Sequence, residues 1–351
     1  MPGFLIMPAV ARFESGLLSG LTNYFGGKRK IVKLIARLAV GRRFCDLFFG
    51  GGSVGLYMKA QGFEVEACDR SFLSYLVGKA LLANDFKKVS RPDLQRMFLP
   101  QDANHFCTDN YFPNLFTDRH SQWIDDAVHA AEKVHDETSR SLLKLVIAKA
   151  IFHLRAFGAF TNQLYMKQWN GKDETGILKR SGSYFKNLAM TTWELAGKSA
   201  GEVNASVFPN GQVNRFFPCD VFEYLALNNP LDTIYLDPPY YGSQNYEAYY
   251  AIVNKILTGG RWSCPPVSHF NNAENYFNSI REIVSACERI PRMIFSYGGY
   301  KGAGERDRIT EAIAAIRGPA VQMIEVPYQY SIHRTGGNGD NAPEFLIVSD
   351  L

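Results

Sequence analysis

The chain has 351 residues, of which 46% are hydrophobic and 21% charged, and its formal net charge is +4. That length and balance suit a soluble globular protein with a full core rather than a disulfide-stapled miniprotein or a disordered segment. Six scattered cysteines without a Cys-x-x-Cys pair, and seven histidines without ligand spacing, argue against a disulfide framework and a zinc site and fit a reducing compartment. The apolar stretch Phe4-Leu5-Ile6-Met7 has no basic leader and is too short to span a membrane, so a cytoplasmic protein is expected.

Near the amino end stands Asn23-Tyr24-Phe25-Gly26-Gly27-Lys28, followed by a helical pattern with Ile31, Leu34, Ile35 and Leu38 on one face. Arg43 to Phe49 reads as a strand running into Gly50-Gly51-Gly52 and a helix from Ser53 to Gln61. A second strand, Phe63 to Cys68, ends at Asp69, completing a βαβ-type unit. Glycines in that turn permit either close approach of a ligand or close helix–strand packing. Asp69 lies nineteen positions past Gly50, where an acid typically binds ribose hydroxyls. Gly50, Gly52 and Gly55 also satisfy the loose dinucleotide fingerprint, which keeps a nicotinamide or flavin enzyme open, although nothing marks a catalytic group beside a hydride acceptor. Gly26-Gly27-Lys28 is too short for a P-loop.

From about 90 to 215 the texture changes. Pro92 and Pro100 open this zone, helices are predicted near 121–135 and 139–155, and 156–214 loses periodicity. So long a stretch without strong pattern reads as a functional surface or a mobile loop. Between Arg140 and Phe217 stand eleven Lys or Arg against four acids, a local balance of +7 that leaves −3 for the remainder. A basic insert on a slightly acidic body is expected of a segment facing a phosphate backbone; a solvated basic surface is the plainer alternative.

Alternation of strand and helix then returns. Strands are predicted at 233–237, 292–297, 321–327 and 344–349, with helices near 245–256, 271–288 and 305–317. Joined to the first zone, they make an open, mostly parallel sheet interrupted by an insertion. Asp220, in Pro218-Cys219-Asp220-Val221-Phe222, suits either an adenine amine or a helix N-cap. The strand Ile234-Tyr235-Leu236 delivers Asp237-Pro238-Pro239-Tyr240. Its two prolines lock the backbone in an extended, kinked shape. The Asp237 carboxylate and Pro238 carbonyl can then both accept hydrogen bonds from one exocyclic amine, with Tyr240 flat on the ring. A tight Pro turn with a capping Asp is the competing reading.

Taken in order, Tyr24-x-Gly26-Gly27-Lys28, Asp46-x-Phe48-x-Gly50-x-Gly52-Ser53, the basic insert and Asp237-Pro238-Pro239-Tyr240 resemble the Dam-like, alpha-group DNA adenine-N6 methyltransferases. The resemblance covers roughly the first 85 and last 135 residues. It implies an α/β, Rossmann-like S-adenosylmethionine-dependent methyltransferase with an open, mostly parallel sheet, helices on both faces and an inserted target-recognition domain. The implied division is a cofactor-binding catalytic segment at residues 1–89, a DNA-facing insert at 90–215 and a further catalytic segment, carrying Asp-Pro-Pro-Tyr, at 216–351. The implied reaction is methyl transfer to N6 of an adenine flipped out of a specific duplex DNA sequence, without a metal.

Carried over by position, Tyr24, Gly27 and Lys28 meet the cofactor's methionine end, and Asp46, Phe48, Gly50, Gly52 and Ser53 line it. Asp69 takes the ribose and Asp220 the cofactor's adenine amine. Asp237, Pro238 and Tyr240 are the implied catalytic residues, with Pro239 against the target base. Arg155, Asn162, Lys167, Lys179 and Arg180 are the DNA-facing candidates, and Asn338 borders the flipped base. Position 24 is Tyr where close relatives often have Trp. Only Arg155-x-x-Gly158-x-Phe160-Thr161-Asn162 echoes the family's DNA-contacting stretch, so the target sequence stays open. The alternatives are an RNA adenine or cytosine-N4 methyltransferase, against which the acid before Pro-Pro-Tyr favours adenine, and a catalytically silent DNA-binding protein of the same fold. A cognate restriction endonuclease is a partner that the sequence leaves open.

Overall fold

The computed structural model describes residues 16–21, 27–102, 104–112, 115–154, 186–187, 189–240, 246–263, 270, 273–298, 303–326 and 343–351. Seven strands form one sheet: β1 (Arg43–Asp46), β2 (Glu64–Cys68), β3 (Arg215–Phe217), β4 (Thr233–Leu236), β5 (Arg292–Gly298), β6 (Val321–Val326) and β7 (Glu344–Asp350). Their order is β3-β2-β1-β4-β5-β7-β6. Pairings from β3 to β5 are parallel, and β7 runs against both of its neighbours. The mostly parallel sheet is therefore as expected, with one reversal that the apolar pattern did not signal.

The helices are α1 (Val32–Leu38), α2 (Ser53–Ala60), α3 (Phe72–Val77), which continues as a π turn over Gly78–Leu82, α4 (Arg91–Arg96), α5 (Phe106–Tyr111), α6 (Asp118–Glu132), α7 (Glu137–Leu154), α8 (Thr192–Ala205), α9 (Val221–Leu225), α10 (Tyr246–Leu257), α11 (Ala273–Ala286) and α12 (Ala303–Arg317). Successive residues of a strand point to opposite faces, which splits the sheet's side chains between two cores. Phe44, Tyr235, Ile294 and Leu346 enter one core, closed by α1, α2, α3, α6, α7, α8 and α10. Cys45, Ile234, Met293, Phe295 and Ile347 enter the other, closed by α9, α11 and α12. Strands covered on both faces read as continuous apolar runs, which is why β4 and β5 were legible. This is the Rossmann-like architecture implied by the sequence.

Three elements differ from expectation. Strand β1 ends at Asp46, three residues before Phe49, because the chain leaves the sheet to begin the glycine turn. The aperiodic stretch 156–214 contains α8, which starts at a capping box: the Thr191 side chain accepts from the Glu194 N–H, and the Glu194 carboxylate accepts from the Thr191 N–H. Its buried side is Leu195, Ala196, Ser199, Ala200 and Val203, mostly small residues that let α8 lie close against α7 but give little apolar signal. Strand β3 is a three-residue edge whose Phe216 occupies the space beside Gly78, where a Cβ would lie 2.2 Å from the ring.

Candidate active site at the carboxyl edge of the sheet

Asp46 ends β1 and sits in register with Tyr235 of β4, so the glycine turn and Asp237 leave neighbouring strands at one edge. The turn passes through left-handed backbone at Gly50 (φ 50°) and Gly52 (φ 77°). A Cβ at Gly52 would lie 2.7 Å from Phe49 Cζ, and one at Gly55 2.8 Å from Phe49 Cε2. Phe49, packed 5.3 Å from Phe216, thus fills the inside of the bend. The Gly50 N–H donates to Asp69 Oδ2 at 2.7 Å and the Ser71 N–H to Oδ1 at 2.8 Å, so Asp69 ties the turn to the end of β2. Burial raises the Asp69 carboxyl above the ordinary range while those two amides pull it back. Asp46 Oδ2 accepts from the Gly55 N–H at 3.0 Å, and Oδ1 is buried with no hydrogen-bond partner among the described residues. Burial pushes Asp46 up to about 8, against the Gly55 amide and reinforced by the charge of Asp237. Phe48 lies edge-on to Phe270 at 5.4 Å, and Ser53 is buried at the start of α2.

Beyond β4, Pro238 is buried, Pro239 and Tyr240 are half-buried, and the Asp237 side chain keeps 19% of its exposure. Lys28, only 2% exposed, places Nζ 3.0 Å from Asp237 Oδ1 and 3.1 Å from Glu344 Oε1, and donates to the Tyr240 hydroxyl at 2.6 Å. The Tyr240 hydroxyl lies 2.8 Å from Glu344 Oε1 and 3.2 Å from Asp237 Oδ1; it has one proton, and the nearer carboxylate is the better acceptor. Ser296 Oγ donates to Glu344 Oε1 at 2.5 Å. The Tyr240 ring rests against Tyr297 at 5.4 Å and 61°, and the Tyr297 hydroxyl is held by Glu305. Burial raises the Asp237 carboxyl to about 6, with Lys28 opposing and Glu344 adding to the rise.

Strand alternation explains the gathering. Asp46 follows Phe44, Asp237 follows Tyr235 and Ser296 follows Ile294 at two-residue steps on the same face. Glu344 reaches this edge because β7 is reversed: its first residue pairs with Gly298, the last of β5. Sequence reasoning missed Glu344. Its signal was an acid opening the otherwise apolar run Phe345-Leu346-Ile347-Val348.

Residues 24–260 match the D12 class N6 adenine-specific DNA methyltransferase family. The chain belongs to this family. It is also 24% identical over 313 residues, covering 88% of this chain and 92% of the relative, to the Type II methyltransferase M2.HphI of Haemophilus parahaemolyticus. The protein is thus an adenine-specific DNA methyltransferase, of a family that uses S-adenosylmethionine generally. The nicotinamide reading is set aside.

Elsewhere in this methyltransferase, half-buried Gly27 precedes Lys28, and the structure brings Lys28 to Asp237 and Glu344. Asp220 caps α9, its Oδ1 accepting from the N–H groups of Phe222 at 2.8 Å and Glu223 at 3.1 Å. Tyr24, Arg155, Asn162, Lys167, Lys179, Arg180 and Asn338 lie outside the described residues. Several of the eleven basic residues counted between Arg140 and Phe217 serve the fold. Lys144 is buried on Glu132 at 2.6 Å; Lys149 is buried on Glu202 at 2.8 Å and on the Ser19 carbonyl at 2.6 Å. Arg215 pairs with Glu64 and Glu66, each at 3.3 Å. Among the described residues no group of three or more His, Cys, Asp or Glu is placed to hold a metal, and no helix is long and apolar enough to cross a membrane.

Proposed function

We propose that the protein methylates N6 of an adenine flipped out of a specific duplex DNA sequence, with the Asp237 carboxylate and Pro238 carbonyl accepting the two amine hydrogens. The observation that carries this reading is the exposure of Asp237: its side chain keeps 19%, whereas Asp46 and Glu344 beside it keep 1% and 0%. Of Asp46, Asp237 and Glu344, Asp237 is the one left accessible to a base. The adenine amine is a poor nucleophile because its lone pair is delocalised into the ring. Accepting both hydrogens favours rehybridisation and stabilises the positive charge that grows on nitrogen. One charge-assisted hydrogen bond contributes about 1.5–3 kcal/mol net. No covalent nucleophile is required.

When bound, S-adenosylmethionine supplies an electrophilic methyl group on a sulfonium. The residues present fit it. Asp46 Oδ1, a buried acceptor with no partner among the described residues, suits the ammonium of the methionine end. Tyr24, Gly27, Lys28, Phe48, Gly50, Gly52 and Ser53 would border that end. Asp69 has lone pairs to spare for ribose hydroxyls beside its two amide bonds, and Asp220 for the adenine amine beside its capping bonds.

A base inside a duplex cannot reach such a site, and extruding it costs a few kcal/mol. Stacking on Tyr240 returns about 1–3 kcal/mol, so phosphate contacts must hold the extruded state as well. We assign these to Arg155, Lys167, Lys179 and Arg180 with Asn162, with Pro239 and Asn338 bordering the base. The corresponding division is 1–89 and 216–351 for catalysis and 90–215 for target recognition. The likeness to a type II methyltransferase supports a role beside a cognate restriction endonuclease. Tritiated cofactor offered with duplex DNA, single-stranded DNA or RNA tests the substrate. Label should enter duplex DNA; label confined to single strands or RNA would overturn the reading.

A further inference from the structure

Resting on that reading, we infer that Glu344 is a positioning residue for methyl transfer: it retains the Lys28 ammonium and the Tyr240 hydroxyl when Asp237 turns to the adenine amine. The geometry is a duplicated acceptor. Asp237 Oδ1 and Glu344 Oε1 share two donors, Lys28 Nζ at 3.0 and 3.1 Å and the Tyr240 hydroxyl at 3.2 and 2.8 Å. The two carboxylates differ in access. Glu344 is fully buried and anchored by Ser296 Oγ at 2.5 Å, while the Asp237 side chain keeps 19% of its exposure.

An amine donating to Asp237 Oδ1 must compete with Lys28 and Tyr240 for that oxygen. With Glu344 present, both donors keep an anionic acceptor already within bonding distance when Asp237 turns to the amine. Glu344→Gln removes that second anion, so Lys28 is drawn harder to Asp237 and the incoming amine competes less well. The same change removes a like charge beside Asp237, whose carboxyl then titrates at lower pH. Among the described residues, the other titratable groups facing Asp237 are Lys28, Tyr240, Tyr235 on β4 and Asp46 at the end of β1.

The test is methyl transfer by the full-length chain to unmethylated duplex DNA, followed as kcat from pH 5 to 9, with thermal melting in parallel. Glu344→Gln should lower the plateau kcat roughly tenfold, the scale of losing one charged hydrogen-bond partner. Its acidic limb should move down by about one pH unit. Glu344→Asp keeps the charge but withdraws it from Lys28, so the plateau should fall while the limb stays near that of the wild type. A purely structural Glu344 would lower melting and leave the limb of Glu344→Gln unmoved, which would overturn the inference. If Glu344→Gln does not fold, a Glu344→Asp plateau equal to the wild type would overturn it just as well. Wild-type protein that transfers no methyl group to DNA adenine would instead remove the reading beneath it.

Discussion

Two strand ends meet at the active edge and solve different problems. At the end of β1, polar and small groups shape the bend: Gly52 and Gly55 make room for Phe49, and Asp69, reaching over from the end of β2, holds the Gly50 amide. At the end of β4 the backbone is held by prolines, and the side chains are committed to one another across four chain segments, through Lys28, Asp237 with Tyr240, Ser296 and Glu344. One end is a bend defined by packing and the other a cluster defined by charge. On the proposed reading one end borders the cofactor and the other faces the target base, and changes at the two ends should fail in different assays.

The largest contrast is expected at the β4 end. Asp237→Ala should lower methyl transfer by roughly 10²–10³-fold, the scale of removing one preorganised transition-state partner. Melting should change little, because Lys28 keeps Glu344 at 3.1 Å. Comparable loss of melting and activity in Asp237→Ala would erase the distinction between the two ends. At the β1 end the reverse holds. Gly55→Ala forces a Cβ to 2.8 Å from Phe49 and should destabilise the fold by about 1–3 kcal/mol, read by denaturant unfolding, with kcat per folded molecule nearly unchanged.

Protonation separates the ends more finely. On the proposed reading Asp237 accepts the amine hydrogen in its ionised form, so kcat should fall as pH drops through about 6. In the cofactor-free protein, Asp46 acts on stability. Its folded pKa is raised to about 8 from an ordinary value of 3.8, so the unfolded chain loses that proton first and stability declines as pH rises across that interval. Asp46→Asn should flatten the fall in Tm between pH 5 and 8.5. An undiminished fall would show that Asp46 is not its source. The smallest effect belongs to neither edge. Replacing Lys167, Lys179 and Arg180 with Ala should reduce the salt slope of duplex binding by about 0.9 for each lost phosphate contact, without shifting the acidic limb of kcat.

Much of this was legible because strands and helices buried on both sides announce themselves. Ile234 to Leu236 and Met293 to Phe295 are unbroken apolar runs, and Asp-Pro-Pro-Tyr at the end of one of them marks a candidate site that composition cannot show. Less visible was anything whose signal lies in contacts rather than in pattern. Helix α8 buries Ala and Ser, β3 is three residues long, and Glu344 becomes a site residue only through the reversal of β7. Charge counting misled to some extent for the same reason, since Lys144 and Lys149 are basic in sequence but internal in the fold.

The most direct measurement is nucleoside analysis of duplex DNA incubated with the wild-type chain and S-adenosylmethionine carrying a labelled methyl group. The label should be recovered as N6-methyladenine. Recovery on cytosine, or a DNA fraction without label beside an intact, cofactor-bound protein, would contradict it.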